Sequence, residues 1–191
     1  MNTTSTPPPS EPVLAVRGYP SPVGELVLIA GPSGLAAVLW PRDERPVRVG
    51  SGLDARSLVA EDTACRVAVE AATPVQALLV ETARQLDEYF AGSRFVFDLP
   101  LDPVGTVFQV AVWRSLADIG YGETSTYGEQ AARIGRPTAV RAVGAANGRN
   151  PLSIVLPCHR VVGSDGRLTG FAGGLEAKEF LLDHEARHRR R

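Results

Sequence analysis

Cysteine, histidine, lysine and aromatic residues are all scarce in this chain of 191 residues, and each shortage removes a class of answers. Two cysteines, Cys65 and Cys158, are too few for a disulfide framework, so a reducing, cytoplasmic setting is expected. All three histidines lie at or beyond His159 and only Cys65 stands in the first half, which leaves little material for a structural zinc site; no metal is expected. No run of about 18 apolar residues occurs, so no membrane-spanning helix is expected. The opening MNTTSTPPPSEP has no basic segment followed by an apolar run, so it does not read as a secretory signal. What remains is 44% hydrophobic and 21% charged with a net charge of −1, ordinary for a globular protein. A balance so close to zero speaks at first against a polyanionic partner.

That balance hides an asymmetry. Residues 1–100 hold eight arginines against twelve acids, a balance of −4, and residues 101–191 hold eleven arginines and Lys178 against nine acids, a balance of +3. The second half is the better candidate for an anionic partner, although four of its basic residues sit in the tail from Arg187 to Arg191.

Four segments follow from the pattern. Residues 1–11 are Thr/Ser/Pro-rich and expected to be disordered. Residues 12–100 read as an α/β domain. Pro12–Arg17, Gly24–Ile29 and Leu35–Trp40 are short apolar stretches split by turns such as Pro20-Ser21-Pro22, which predicts a small antiparallel meander. Residues 47–72 carry no assignable pattern. Thr73 as N-cap and Pro74 at the first position open a helix, in which Val75, Leu78, Leu79, Leu86, Tyr89 and Phe90 recur at helical spacing and which Gly92 ends. Phe95, Phe97 and Leu99 alternate as a strand, and 100–103 reads as a linker.

Residues 101–186 read as a mainly α domain, with 187–191 as a basic tail. Thr106 with Gln109 and Thr126 with Glu129 have capping-box spacing, opening helices to about Asp118 and Ile134. After Gly135-Arg136-Pro137 a third helix is expected from about Pro137 to Ala146, and the last two helices form a candidate helix-turn-helix. The stretch Thr138, Ala139, Val140, Arg141, Ala142, Val143, Gly144 is nearly all small residues around one arginine. It suits close packing on a neighbouring helix as well as close approach to a nucleic-acid groove.

The chemistry-bearing segment is Leu152–Leu156, read as an apolar strand, running into Pro157-Cys158-His159-Arg160-Val161. A cysteine at the end of a rigid element with an adjacent imidazole to lower its pKa is a candidate nucleophile. The dipeptide alone is equally a buried apolar cysteine beside a core histidine.

The wider pattern decides between them. Pro157-Cys158-His159-Arg160-Val161 resembles the active-site signature of the O6-alkylguanine-DNA alkyltransferases, the methylated-DNA–protein-cysteine methyltransferases. The likeness continues through Gly105–Gln109, Val112-Trp113, Tyr121–Thr124, Thr126–Glu129, Val140–Gly144, Asn150-Pro151, Gly170, Gly173-Gly174-Leu175, Lys178 and Leu181-Leu182-Asp183-His184-Glu185. It is dense from Gly105 to Glu185 and looser over 12–100.

The resemblance implies a stoichiometric, irreversible transfer of the alkyl group from O6-alkylguanine (and O4-alkylthymine) in DNA to Cys158, without a cofactor. It implies that His159 takes the thiol proton through a water and that Glu185 orients His159. Asn150 would tie the recognition helix to the active-site loop, and Tyr127 would hydrogen-bond the guanine ring. Arg141 would fill the place of a flipped-out base while Thr138, Ala139, Val140, Ala142 and Gly144 approach the minor groove of double-stranded DNA. Val161, Phe171 and Ala172 would line the substrate pocket. Phe171 stands where the family usually has Tyr, and Ala172 lacks the hydroxyl of the Ser found in some relatives. The expected protein acts as a monomer, with no obligate protein partner and no membrane association. Three other classes make different demands: a non-catalytic lesion-binding relative lacks the cysteine, a transcription factor needs polar base-reading residues on the second helix, and a cysteine hydrolase needs an oxyanion hole.

Overall fold

The computed structural model describes residues 14–41, 45–61 and 73–189. The stretch 1–11, Cys65 and the last two arginines of the tail lie outside the described residues. Three strands, β1 (Ala15–Ser21), β2 (Gly24–Gly31) and β3 (Gly34–Leu39), form an antiparallel meander in the order β1-β2-β3. β1 runs through Pro20, where the sequence pattern placed a turn. An edge strand tolerates a residue without an N–H, and β1 is such an edge.

Both faces of this sheet are covered. Residues without an assignable sequence pattern supply one cover: β4 (Arg48–Val49), β5 (Leu53–Asp54) and α1 (Ala55–Glu61) bring Val47, Val49 and Ala55 against Ile29, Ala37 and Leu39. The other cover is α2 (Pro74–Phe90), whose N-cap Thr73 accepts from the Gln76 backbone N–H as the sequence predicts. Its inner face carries Leu79, Ala83, Leu86 and Tyr89 onto Leu26, Leu28 and Ala30.

The strand predicted over Phe95–Leu99 does not form. Its backbone partner is a side chain: the Gln85 amide donates to the Asp98 carbonyl at 2.8 Å and accepts from the Asp98 N–H at 2.8 Å. The following 100–103 stretch is strapped to the free edge of β3, through Leu35 N–H to the Pro100 carbonyl and Asp102 N–H to the Leu35 carbonyl. Further along the same edge, the Val38 N–H donates to the Pro151 carbonyl. The two halves therefore share one strand edge and one apolar core, which runs from Tyr19 and Leu26 through Trp113 to Cys158 and Leu181.

The C-terminal half is mainly helical: α3 (Val107–Arg114) with a 3-10 turn at Ser115–Asp118, α4 (Tyr127–Arg133), α5 (Val140–Asn147) and α6 (Leu175–His188). Both predicted capping boxes are present, at Thr106/Gln109 and Thr126/Glu129. Two short strands, β6 (Ser125–Thr126) and β7 (Val161–Val162), pair in parallel. No helix among the described residues is long and apolar enough to cross a membrane.

Candidate active site

α4 and α5 form the helix-turn-helix, and its turn has a specific cause. Gly135 lies at φ +70°, its N–H bonding the Ala132 carbonyl and that of Arg136 bonding the Ala131 carbonyl. This pair of bonds is a Schellman cap, which favours glycine at the left-handed position. α5 begins at Val140, three residues later than predicted, because Arg136–Ala139 close a separate turn before the helix. Thr138 is therefore outside the helix and exposed, and Ala139 is its half-buried N-cap.

α5 has two faces. Val143, Ala146 and Asn147 point inward, where Asn147 donates to Gln130 at 2.6 Å and Trp113 Nε1 donates to the Ala146 carbonyl at 2.8 Å. Val140, Arg141 and Ala142 are exposed on the opposite side. Gly144 is half-buried against the Tyr127 ring, close enough that a Cβ would lie 3.7 Å from it. The Tyr127 hydroxyl is 2.8 Å from Thr169 Oγ1. Of the small residues on α5, Val143 and Ala146 pack inward, and the outer face is left low around Arg141.

The predicted strand at Leu152–Leu156 is instead a buried turn. Leu156 N–H closes back onto the Leu152 carbonyl, and Ile154, a β-branched residue, is held at φ +73°. Such a conformation costs of order 1–3 kcal/mol and persists only where its surroundings enforce it. Asn150 does much of this, donating to the Leu156 carbonyl at 2.7 Å and accepting from the Leu152 N–H at 3.0 Å. Cys158 follows Pro157 at the head of a 3-10 turn, Cys158–Arg160, with its N–H bonded to the Leu156 carbonyl.

Cys158 is 6% exposed and His159 and Glu185 are fully buried. His159 Nε2 lies 2.8 Å from Glu185 Oε1, so the two residues the sequence paired across 26 positions do meet. The ring's other nitrogen, Nδ1, is buried without a hydrogen-bond partner among the described residues. A histidine bonded to a carboxylate through Nε2–H carries its lone pair on Nδ1, which is the atom able to accept a proton. Burial pushes the His159 pKa down, while Glu185 pulls it up, so the neutral, basic imidazole is favoured at rest.

The thiol differs from the sequence expectation. Burial pushes the Cys158 pKa up, and the influences pulling it back are Asn150, Lys178, Ser153 and Arg45, with His159 not among them. The resting group is a thiol whose proton must be moved during reaction. Burial would also raise Glu185, but hydrogen bonds and charge from His159 and Arg160 hold its pKa down at about 2. Glu185 is therefore a carboxylate at any working pH.

Several residues at this centre carried no sequence signal for their role. Arg160 donates twice to Glu185, at 2.9 and 3.0 Å, and the Tyr89 hydroxyl and Gly122 N–H donate to it at 2.9 and 3.0 Å. Lys178, fully buried, donates to the Val161 carbonyl at 2.6 Å and the Thr169 carbonyl at 3.1 Å, tying the 163–174 loop to the segment after Cys158. Val161, expected to line the pocket, has no exposed surface and packs in the core. Phe171 lies edge-on between His159 (6.4 Å) and Trp40 of the N-terminal half (5.3 Å), and Ala172 is half-buried beside it. Trp40 also lies so close to Gly173 that a Cβ there would fall 2.6 Å from its ring, so this loop can approach the sheet only with glycine at that position.

Comparison with known proteins gives consistent findings over nearly the whole chain. A family model for the DNA-binding domain of 6-O-methylguanine DNA methyltransferase matches residues 107–187, and one for its ribonuclease-like domain matches residues 16–103. The methylated-DNA--protein-cysteine methyltransferase of Methanosarcina barkeri is 61% identical over 105 residues, 55% of this chain and 66% of that protein. That of Methanosarcina acetivorans is 44% identical over 167 residues, 87% of this chain and 95% of that protein. Among solved structures, Mycobacterium tuberculosis OGT in complex with DNA superposes with a TM-score of 0.71 at 38% identity, covering 91% of this chain and 93% of that one.

Proposed function

Because the chain belongs to the 6-O-methylguanine DNA methyltransferase family, we propose that it repairs alkylated DNA by taking the alkyl group from O6 of guanine, or O4 of thymine, onto Cys158, once and irreversibly. The observation that carries this reading is the buried Cys158 beside a His159–Glu185 pair whose free nitrogen is Nδ1. The Sγ–carbon bond forms as the carbon–O6 bond breaks. The thiol proton passes to His159 Nδ1 through a water, and Glu185 stabilises the imidazolium. The departing guanine anion takes up one proton from water as His159 gives one back, so that the net movement is of the thiol proton to the base. Tyr127 offers the hydroxyl that hydrogen-bonds that ring once Thr169 releases it. The carbon–sulfur bond of the thioether so formed is stable, and returning the thiol would need another acceptor for the alkyl group, so each molecule reacts once.

The test is the intact mass of the protein after incubation with duplex DNA containing O6-methylguanine. One methyl group should appear, on the peptide bearing Cys158, in an amount equal to the active protein. Repeated turnover, or methylation elsewhere, contradicts the reading.

A substituent inside a base stack is reached by turning the nucleotide out of the duplex. Support for a minor-groove mode comes from α5: its exposed face is low, with Arg141 as its long side chain. A helix of this kind needs only a modest basic excess, which fits a chain with net charge −1. The protein acts as a monomer in this reading. Arg141→Ala should slow reaction with alkylated duplex by about 10-fold or more, taking a mispositioned contact at 1–3 kcal/mol. Reaction with a free benzylated guanine, which needs no flipping, should be nearly unchanged. Equal losses on both substrates count against a wedge at Arg141.

A further inference from the structure

Among the described residues five donors converge on Glu185, one more than the roughly four acceptor positions of a carboxylate. Oε2 takes Arg160 Nε at 2.9 Å and the Gly122 N–H at 3.0 Å. Oε1 is shared by His159 Nε2 at 2.8 Å, Arg160 Nη2 at 3.0 Å and the Tyr89 hydroxyl at 2.9 Å. Four of the five come from the C-terminal half. Tyr89 belongs to the N-terminal half, near the end of α2, and its backbone carbonyl is bonded by His184 Nε2, the residue before Glu185. Its ring is locked by edge contacts with Phe90 and Tyr121. Burial, reinforced by the charge of Glu185, drives the Tyr89 phenol well above its ordinary pKa, so it remains a proton donor across the working range.

We propose that Tyr89 is a positioning residue for the reaction at Cys158: its hydroxyl fixes Glu185 and, by sharing Oε1 with His159, limits how strongly the carboxylate favours protonated His159. This inference rests on His159 being the proton acceptor. The N-terminal half is then part of the reaction chemistry as well as a cover for the core. The groups facing His159 are Glu185 and Lys178 from α6, Arg160 from its own turn, Tyr121 from the loop after the Ser115–Asp118 turn through Arg160 and Glu185, and Tyr89 from α2. The contribution of Tyr89 can be removed by deleting one oxygen without disturbing a charge, and of the two tyrosines it is the one whose hydroxyl donates to Glu185. Loss of that oxygen leaves Oε1 with one donor fewer, so its charge acts more fully on His159 and the protonated ring is favoured. A protonated His159 cannot accept the thiol proton.

The experiment measures the rate constant for alkylation of Cys158 by a free benzylated guanine against pH, in the full-length native protein, Tyr89→Phe, His159→Ala and the double variant. Phenylalanine keeps the ring in place. The acid limb of Tyr89→Phe should move to higher pH by about half a unit, a fraction of the 1–3 units an adjacent full charge produces. On that limb the reaction should be about threefold slower, the rate equivalent of that shift. In the His159→Ala background, the Tyr89 change should have no further effect on rate. A Tyr89→Phe profile that superimposes on the native one, with loss only in thermal midpoint, overturns the proposal while leaving His159 as base, provided His159→Ala abolishes the acid limb. If His159→Ala leaves that limb in place, the base assignment fails and this inference fails with it. Equal rate losses with and without His159 also overturn it.

Discussion

Cys158→Ala should abolish alkyl transfer completely while leaving binding to alkylated duplex DNA within a few-fold of the native protein. The substitution removes one sulfur atom from a site that is 6% exposed, with the backbone held independently by the Leu156 carbonyl. The Asn150 side chain holds the preceding turn at Leu152 and Leu156, and neither bond involves the cysteine. The void is small, and its cost should be about 1 kcal/mol, near the low end of large-to-small core changes. Arg141 is exposed on α5 whereas Cys158 belongs to the buried core, so the substitution should leave the geometry of that face unchanged. Intact mass after exposure to O6-methylguanine DNA reads the transfer, and fluorescence anisotropy with the same duplex reads the binding. Residual methylation in the alanine variant would move the acceptor away from Cys158. Loss of both activities together, with an intact thermal transition, would mean that the thiol is needed for recognition and that transfer and capture are not separable.

The resting protonation state sharpens that expectation. A thiolate nucleophile would react with any accessible electrophile, whereas burial raises the Cys158 pKa and keeps the group a thiol until a substrate arrives. Selectivity then comes from where the proton can go. In the proposed reaction it leaves only when His159 is aligned to receive it, and His159 is bonded to Glu185 at 2.8 Å. The carboxylate is in turn fixed by Arg160, Gly122 and Tyr89, from three separate parts of the chain.

Local chemistry explains which of these parts could be read from the amino-acid order. Thr73, Thr106 and Thr126 bond backbone groups three residues away, so their caps were visible. The meander was visible in its apolar stretches, and the meeting of His159 with Glu185 and the turn held by Asn150 through resemblance to a family motif, which also nominates Cys158 and Arg141 for the roles proposed above. Tyr89 and Glu185 are 96 positions apart and Gly122 and Glu185 are 63 apart, and no local pattern encodes such a meeting. Tyr89 read simply as an apolar position on α2. Leu152–Leu156 read as a strand because a short run of buried apolar residues has no periodicity to separate strand from turn. Here Asn150 supplies from its side chain the bonds a neighbouring strand would have made. Gln85 does the same for Asp98, which is why the alternating Phe95, Phe97 and Leu99 remain irregular.

Glu185→Gln should damage both rate and stability, and pH separates the two. Glutamine keeps the shape but loses the charge, and its amide presents donors where Arg160 and Tyr89 already donate. Leaving a buried guanidinium without its anion typically costs 3–5 kcal/mol, so a lower thermal midpoint is expected at neutral pH. Transfer should slow by about 10²–10⁴-fold, the range that a correctly oriented general base contributes. The stability loss has a definite pH window. In the folded protein the Glu185 pKa is held at about 2, below the ordinary carboxylate value of 4.5. Its contribution is therefore fully present above the ordinary value and is lost as pH falls from there toward about 2. The native protein should lose stability over that interval faster than the glutamine variant, and the two unfolding curves should converge as the pH approaches the folded-state value. Urea unfolding of both proteins between neutral pH and pH 2 measures this directly. A gap that stays constant across the window would show that the variant's defect is one of packing, and that the charge of Glu185 does not hold this centre together.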